Sequence, residues 1–355
     1  VSAMGNMLLF HIAKKKGVAV LTGAETRILG GYILSESYRS FSFADARFNE
    51  LMQGEKSPRE QDARAYLDEY RAKPRTYRFA MESFKNSGGR LEAFLWLTPQ
   101  KIARSIRWLS ERIIRRTMEP TIDYMEQSPW WFLFDAMRRK FRLMRGYNDL
   151  YDAYDPREQF AYYPLHLEPE LAMLLLAPHW TDQINLIKQI AESLPLSFKL
   201  YVKEHPGMVG FRTRDYYKEM KKIPNVKLIH PNHDSHEIIK DARLITTQTG
   251  TAGWEAILLR KPVITFGNVY YNTLPIVKQI TDLTHLPSVV KEQLEHFAHD
   301  ERALTNFVAA LLEDSVNINL HELWEEGLPA EKERESIRQF TDLLISKMRA
   351  PGRAV

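Results

Sequence analysis

Leu244–Gly267 reads LITTQTGTAGWEAILLRKPVITFG, and the fold is decided there. The β-branched, apolar run from Arg243 to Thr246 predicts a strand. A turn of hydroxyls and glycine follows, Thr247 to Thr251, and then a helix over about Ala252–Leu259. Arg260 and Lys261 suit the negative end of a helix macrodipole, and Pro262 stops the helix. Val263 to Phe266 predicts a second buried strand, closed by Gly267. Such a strand–turn–helix–strand unit presents backbone N–H groups at a helix N-terminus, which suits an anion. It suits an ordinary βαβ crossover with a hydroxyl N-cap equally well.

Outward from this stretch the same alternation repeats. Asp149–Gln159 (DLYDAYDPREQ) is polar and irregular and reads as a linker. Strands are predicted at Phe160–Tyr163, Phe198–Val202 and Val226–Ile229, with helices at Thr181–Ser193, Thr213–Ile223 and His233–Asp241 between them. Strands alternating with helices of about ten residues indicate a parallel, doubly wound sheet. The tail is predicted to be helical, at Ile276–Ile280, Ser288–His296, Glu301–Asp314 and Ala330–Met348.

Parallel strands deliver their carboxyl ends to one edge, where ligands of open α/β sheets bind. The first strand ends in Pro164–Glu170, the second in Lys203-Glu204-His205-Pro206-Gly207, the third in His230-Pro231-Asn232, and the fourth in the Thr247–Thr251 turn. Pro206 holds His205 extended, so its imidazole can donate to a phosphate or protonate a departing one; a histidine capping a loop carbonyl is the plainer alternative. Lys203 shares a face with His205, and His166 with Glu168, at strand spacing. Gly250 and Gly253 allow close backbone approach. Thr247, Thr249 and Thr251 offer hydroxyls. Glu255 lies one helical turn on, where a carboxylate can accept both hydroxyls of a ribose. Trp254 reads as core, and His179, His233 and His236 as surface histidines. No G-x-x-x-x-G-K-[ST] loop, dinucleotide fingerprint or D-x-D pair is present, so fixed cations and a helix dipole are expected in place of a metal clamp.

The amino-terminal part differs. Met4–Lys16 predicts a helix capped by Gly17, then a strand over Val18–Leu21 and a loop, Thr22–Arg27, at its carboxyl end. From about Phe43 to Lys140 the chain reads as helical, with breaks near Lys73–Pro74, Gly88–Gly89, Pro120 and Ser128–Pro129. Two stretches are basic and aromatic together: Arg104–Arg116 with Trp108, and Trp130–Arg145 with Phe132 and Phe134. They read either as core helices with solvated arginine faces or as a basic amphipathic surface on anionic lipid. Opening on a helix predicts an upstream segment. The 355 residues suffice for two domains, and a charged share of 26% is ordinary for a globular protein. The absence of cysteine excludes disulfides and thiolate chemistry, and a net charge of +4 is too small to indicate nucleic acid. No apolar run approaches the roughly 18 residues of a membrane span and no secretory signal is visible, which predicts a soluble, intracellular protein.

FAYYPLHLEPE, the Asp182-Gln183 helix, LPLSFKLYVKEHP and TQTGTAGWEAILLRKPVITFG together resemble the capsule polysaccharide biosynthesis glycosyltransferases, β-Kdo transferase-like proteins among them. The resemblance covers about Phe160–Tyr271. It implies an α/β, GT-B-like architecture of two Rossmann-like domains, the amino-terminal one helix-rich and truncated. The expected divisions are 1–150 on the acceptor side, 151–325 holding the nucleotide-sugar, and a helix over 326–355 packing back. By resemblance His205 contacts the donor phosphate, Thr249, Gly250 and Thr251 cradle it, and Glu255 holds the ribose, with His166, Glu168, Lys203 and Pro206 beside them.

The expected activity is metal-independent transfer of a sugar, such as Kdo from CMP-Kdo, from a nucleotide donor to a glycan or glycolipid. No cofactor is expected. The base is placed on Glu25 of the Thr22–Arg27 loop, with Arg27 touching acceptor or phosphate. The expected partners are the donor, the acceptor and an anionic membrane surface, without nucleic acid, at a cytoplasmic location on the inner face of a membrane. A nucleotide-sugar epimerase of the same build and a non-catalytic assembly protein at the membrane are the alternatives.

Overall fold

The computed structural model describes residues 4–28, 30–75, 99–118, 128–318 and 330–349. The breaks expected at Gly88–Gly89 and Pro120 lie outside them. Strands β3 (Phe160–Pro164), β4 (Lys199–Lys203), β5 (Val226–Ile229), β6 (Leu244–Thr247), β7 (Val263–Thr265) and β8 (Val277–Gln279) form one sheet in the order β5-β4-β3-β6-β7-β8. Every pairing is parallel. β3 lies inside the sheet, and the chain builds outward from it first to one side and then, from β6, to the other. The β3–β6 junction is therefore the topological switch point.

Alternation along β3 shows why both faces are buried. Phe160 and Tyr162 enter one core, and Ala161 and Tyr163 the other. The second core is closed by α7 (Gln183–Ser193), α8 (Arg214–Lys221) and α11 (Leu286–Glu295). On the first face lie α9 (Ser235–Asp241), α10 (Thr251–Leu258) and α12 (Glu301–Asp314). The short α6 (Leu171–Leu176) follows the loop after β3. Side-chain caps fix several helix starts: Asp182 accepts from the Asn185 N–H, Asp234 from His236 and Asp300 from Ala303.

The first core does not stop at residue 150. Phe41, Phe48 and Leu51 around α2 (Ser42–Met52), and Ala63, Tyr66, Leu67 and Tyr70 of α3 (Glu60–Ala72), belong to it. Phe41 stacks on Tyr270 at 4.7 Å, and Arg71 of α3 pairs with Glu301 at 2.7 Å.

After α1 (Met4–Lys15), the strand expected over Val18–Leu21 is displaced to the residues expected as a loop. β1 (Thr22–Glu25) pairs antiparallel with β2 (Gly31–Ser35), and β2 with β9 (Ser315–Asn317). Val18 is left half in solvent, while the Thr22 hydroxyl lies within hydrogen-bonding reach of the carbonyls of Ser35 and Ser37. Only Thr26–Gly30 joins the two strands, too short for the crossover a parallel pair needs. Among the described residues the amino-terminal part thus holds an antiparallel hairpin in place of a second parallel sheet. α13 (Ala330–Met348) lies against β9 and β2. α4 (Pro99–Met118) and α5 (Pro129–Arg145) meet where the rings of Trp108 and Phe132 approach to 4.8 Å. No helix among the described residues is long and apolar enough to cross a membrane.

Candidate functional site at the carboxyl edge of the sheet

At the switch point the loop after β3 meets the turn after β6. His166 is buried, and its Nε2 accepts the Thr249 N–H at 3.2 Å. Thr247 Oγ1 accepts the Gly250 N–H at 3.1 Å. Two amides expected to cradle a phosphate are therefore used within the turn. The N-cap of α10 is Gly250 itself, without a side-chain cap, so the expected hydroxyl cap is replaced by this inward-facing arrangement. The glycines make room for side chains of this chain: a Cβ on Gly250 would stand 2.7 Å from Thr247 Oγ1, and one on Gly253 would overlap the Tyr271 hydroxyl. That hydroxyl donates to the Gly250 carbonyl at 2.7 Å. What faces outward is the first turn of α10 at Thr251, which is exposed. Burial, with the charges of His205 and Arg212, drives the His166 pKa down to about 3, so the ring stays neutral and keeps its acceptor role.

The expectation that His166 and Glu168 share a ligand-facing side gives way to an internal network. Gln183 Oε1 accepts the His166 N–H at 2.9 Å, and Gln183 Nε2 donates to the His166 carbonyl and to Glu168. Arg212 closes it. Only 5% exposed, it donates to Glu204 at 2.5 Å and to the His166 carbonyl at 2.6 Å, and lies 3.3 Å from Glu168. The buried Glu204 carboxylate also accepts from the Tyr217 hydroxyl and the His205 N–H. Arg212 and Glu204 escaped the sequence reading. Glu204 sat unweighed in the Lys203–Pro206 motif, and Arg212 lies in a loop with no motif of its own.

His205 follows the end of β4 and caps the turn Pro206–Met208. Its Nδ1 accepts the Gly207 N–H at 3.1 Å, which puts the proton of the neutral ring on Nε2. Burial and the charges of Lys203 and Arg212 push its pKa down to about 4. The expected donor role is chemically consistent with this tautomer. Lys203 turns to the first-core side, donating to Ser235 at 2.6 Å. Burial lowers its pKa to about 8, and the charges of Asp234 and Glu255 oppose that shift. Glu255 is pushed up to about 8 by burial, Asp234 adding to this and Lys203 opposing it. His236, read from sequence as a surface residue, is mostly buried and lies 3.8 Å from Glu255. Trp254 is core, as expected.

Glu25 is the last residue of β1, not a loop residue. It pairs with Arg27 at 2.9 Å, and Arg27 adopts φ 63° in the hairpin turn. The Arg27 charge reaches Glu170 and Tyr270, so the hairpin approaches the loops after β3 and β7. Burial raises the Glu170 carboxyl above its ordinary range against the pull of Arg27. Among the described residues no group of three or more His, Asp or Glu side chains is placed to hold a metal ion.

Sheet order and site together define a doubly wound α/β domain whose polar residues gather at the switch point. Residues 159–297 match the family model described as capsule polysaccharide biosynthesis protein, and over that stretch the resemblance read from the motifs is borne out. Protein FixF of Sinorhizobium fredii is 31% identical over 130 residues, which are 36% of this chain and 31% of FixF. The chain therefore spans about a third of that curated relative. Among solved structures, a Thermosulfurimonas dismutans KpsC β-Kdo 2,7 transferase aligns over 97% of this chain and 91% of its own, with 13% identity and a TM-score of 0.41. Anabaena Alr3699/HepE in complex with UDP-glucose aligns over 52% and 49%, with 13% identity and a TM-score of 0.34.

Proposed function

We propose that the chain is a metal-independent glycosyltransferase that moves a sugar from a nucleotide donor to a surface-glycan or glycolipid hydroxyl. The observation that carries this reading is the neutral His205, its proton on Nε2, beside Lys203 and the α10 N-terminus at one sheet edge. In the proposed reaction a carboxylate takes the acceptor proton, the acceptor oxygen bonds to the anomeric carbon, and the sugar–phosphate bond breaks. Charge grows on the leaving phosphate. His205 Nε2–H, Lys203 and the exposed first turn of α10 stabilise it, with Thr249 and Gly250 shaping that turn. Glu255, one helical turn into α10, is assigned to the ribose hydroxyls. The base is drawn from Glu25, paired with Arg27, and Glu170, which feels the Arg27 charge.

A CMP-linked donor such as CMP-Kdo is the first to test, and a position at the inner face of a membrane belongs to the same reading. A thermal-shift series across CMP, UDP and GDP identifies the nucleotide, since binding raises the melting temperature by mass action. Product formation with donor and acceptor should fall at least about a hundredfold in His205→Ala, the scale of losing one transition-state donor. Interconversion of the donor without acceptor would establish an epimerase instead. Glycan production in cells that survived both His205→Ala and Glu255→Ala would leave a non-catalytic assembly role.

A further inference from the structure

α5 carries an apolar stripe that the protein leaves in solvent. Trp130, Phe134, Met137, Phe141 and Met144 recur at alternating steps of four and three, which puts them on one helical face. All five are exposed, Trp130 and Phe141 at 66%. Trp131 adds to the stripe, and α4 contributes the exposed Ile102 and Ile106 beyond the Trp108–Phe132 contact. The sequence allowed these helices a place in the core, and the structure puts this face outside it. Contiguous exposed aromatics of this kind mark a docking surface.

Charge selects what docks. The two helices hold eleven Lys and Arg against only Glu111 and Asp135, an excess greater than the +4 of the entire chain. Both acids are already matched, Glu111 by Arg107 at 2.9 Å and Asp135 by Arg139 at 3.1 Å. A second copy seated on this face would bring the same positive excess against it. A bilayer with anionic headgroups supplies phosphates for the arginines and an apolar boundary for Trp and Phe.

We propose that α4 and α5 dock on a bilayer containing anionic lipid, with the Trp130–Met144 stripe in the interface. The helix that docks is bolted to the candidate site. Arg142 donates to the Phe211 carbonyl at 2.6 Å, the Arg139 guanidinium lies 4.4 Å from the Phe211 ring centre, and a Cβ on Gly210 would stand 2.9 Å from Leu143. This is the segment that runs from His205 to Arg212. These contacts fall on the face of α5 opposite the stripe, so docking holds that segment one helix diameter, roughly 10 Å, above the lipid surface, within reach of a glycolipid acceptor. That last step rests on the glycosyltransferase reading; the docking itself does not.

The test is flotation of the full chain, without donor or acceptor, on vesicles of phosphatidylcholine alone and of phosphatidylcholine with about one-third phosphatidylglycerol. The protein should float with the anionic vesicles at low salt, lose most of that in high salt, and stay down with the neutral ones. Trp130→Ser/Phe134→Ser/Phe141→Ser should cut partitioning about tenfold or more, with an unchanged melting temperature as the check on folding. Arg104→Gln/Arg138→Gln should weaken binding and flatten its salt dependence. Absence of flotation on anionic vesicles at low salt overturns the proposal, as does equal flotation on both vesicle types. A dimer in light scattering that the triple variant dissolves overturns it too, by assigning the stripe to a second copy. Because no substrate is present, none of these outcomes bears on whether the chain transfers a sugar.

Discussion

The carboxyl edge of the sheet and the α4–α5 arm use the same residue types in opposite ways. At the edge, Arg212 is buried and bonded to Glu204, to Glu168 and to the His166 carbonyl, so its charge is spent on tying the loop after β3 to the loop after β4. On the arm, arginines stand among exposed aromatics, with two acids for eleven cations. Buried charge needs partners because desolvation is costly, and the partners fix a geometry. A surface with a net positive charge attracts an oppositely charged one. The comparison assigns precision to the edge and adhesion to the arm, and it can be broken from either side.

The largest effect is expected where the edge is cut. Arg212→Ala leaves Glu204 buried without its cation and should cost about 3–5 kcal/mol in denaturant unfolding. The loss should reach the turn after β6, since Arg212 holds the backbone of His166, and His166 accepts the Thr249 N–H. Arg212→Lys keeps the charge without the fork and should recover only part. Wild-type stability in Arg212→Ala would mean that the network is idle.

Next comes Gly253→Ala. The new methyl overlaps the Tyr271 hydroxyl, and overpacking of this kind costs about 1–3 kcal/mol. Tyr271→Phe removes the shortest contact, that with the hydroxyl, and leaves the milder one of 2.9 Å to the ring carbon beneath it, though it also removes the bond to the Gly250 carbonyl. The double variant should therefore be more stable than the sum of the single changes. Strict additivity would show that α10 shifts to accommodate the methyl.

These two cases show what could be read from sequence. The alternation of strand and helix places the sheet, and parallel strands oblige His166, Lys203, His205 and Thr249 to share an edge. Which atoms they spend on each other depends on the loops. The Gly250 and Gly253 spacing suits a ligand and a close-packed tyrosine equally, and only the position of Tyr271 decides. Arg212 sits in an unpatterned loop and becomes a keystone only when β3 and β4 lie side by side. The hairpin of β1 and β2 was missed because β1 carries only Thr, Gly, Ala and Glu, while the apolar Val18–Leu21 beside it looks more like a strand; β2, with Tyr32, Ile33 and Leu34, has strand composition but no legible partner without β1. The helices of the arm were legible as amphipathic, but burial is a tertiary property and periodicity does not tell a core stripe from an exposed one.

A smaller effect separates edge from arm by pH. Glu255 has a folded pKa of about 8 against an ordinary value near 4.5. The folded state therefore holds a proton that the unfolded state has released, and stability from this group is full below about pH 4.5 and falls as pH rises toward about 8. Lys203 acts in the next window: its pKa is lowered to about 8, so the unfolded chain holds the extra proton and stability recovers from about pH 8 toward 10.5. Glu255→Gln should flatten the decline between about pH 4.5 and 8. His166 and His205, neutral when folded, should make the protein lose stability as pH falls below about 6.5. The arm offers no buried carboxyl of this kind, so Arg104→Gln should leave the profile unmoved.

The smallest effect is the one that isolates the arm. Trp130→Ser and Phe141→Ser remove aromatic rings that are two-thirds exposed, and surface substitutions of this kind change stability by no more than about 0.5 kcal/mol. A side chain this large, kept in water at no benefit to the fold, raises the chance of aggregation instead. Both variants should unfold with the wild type in denaturant while increasing the protein's solubility. A loss of more than about 1 kcal/mol would mean that the rings pack onto the fold in solution. The stripe would then belong to the same economy of internal contacts as Arg212 and its carboxylates, and the contrast between edge and arm would collapse.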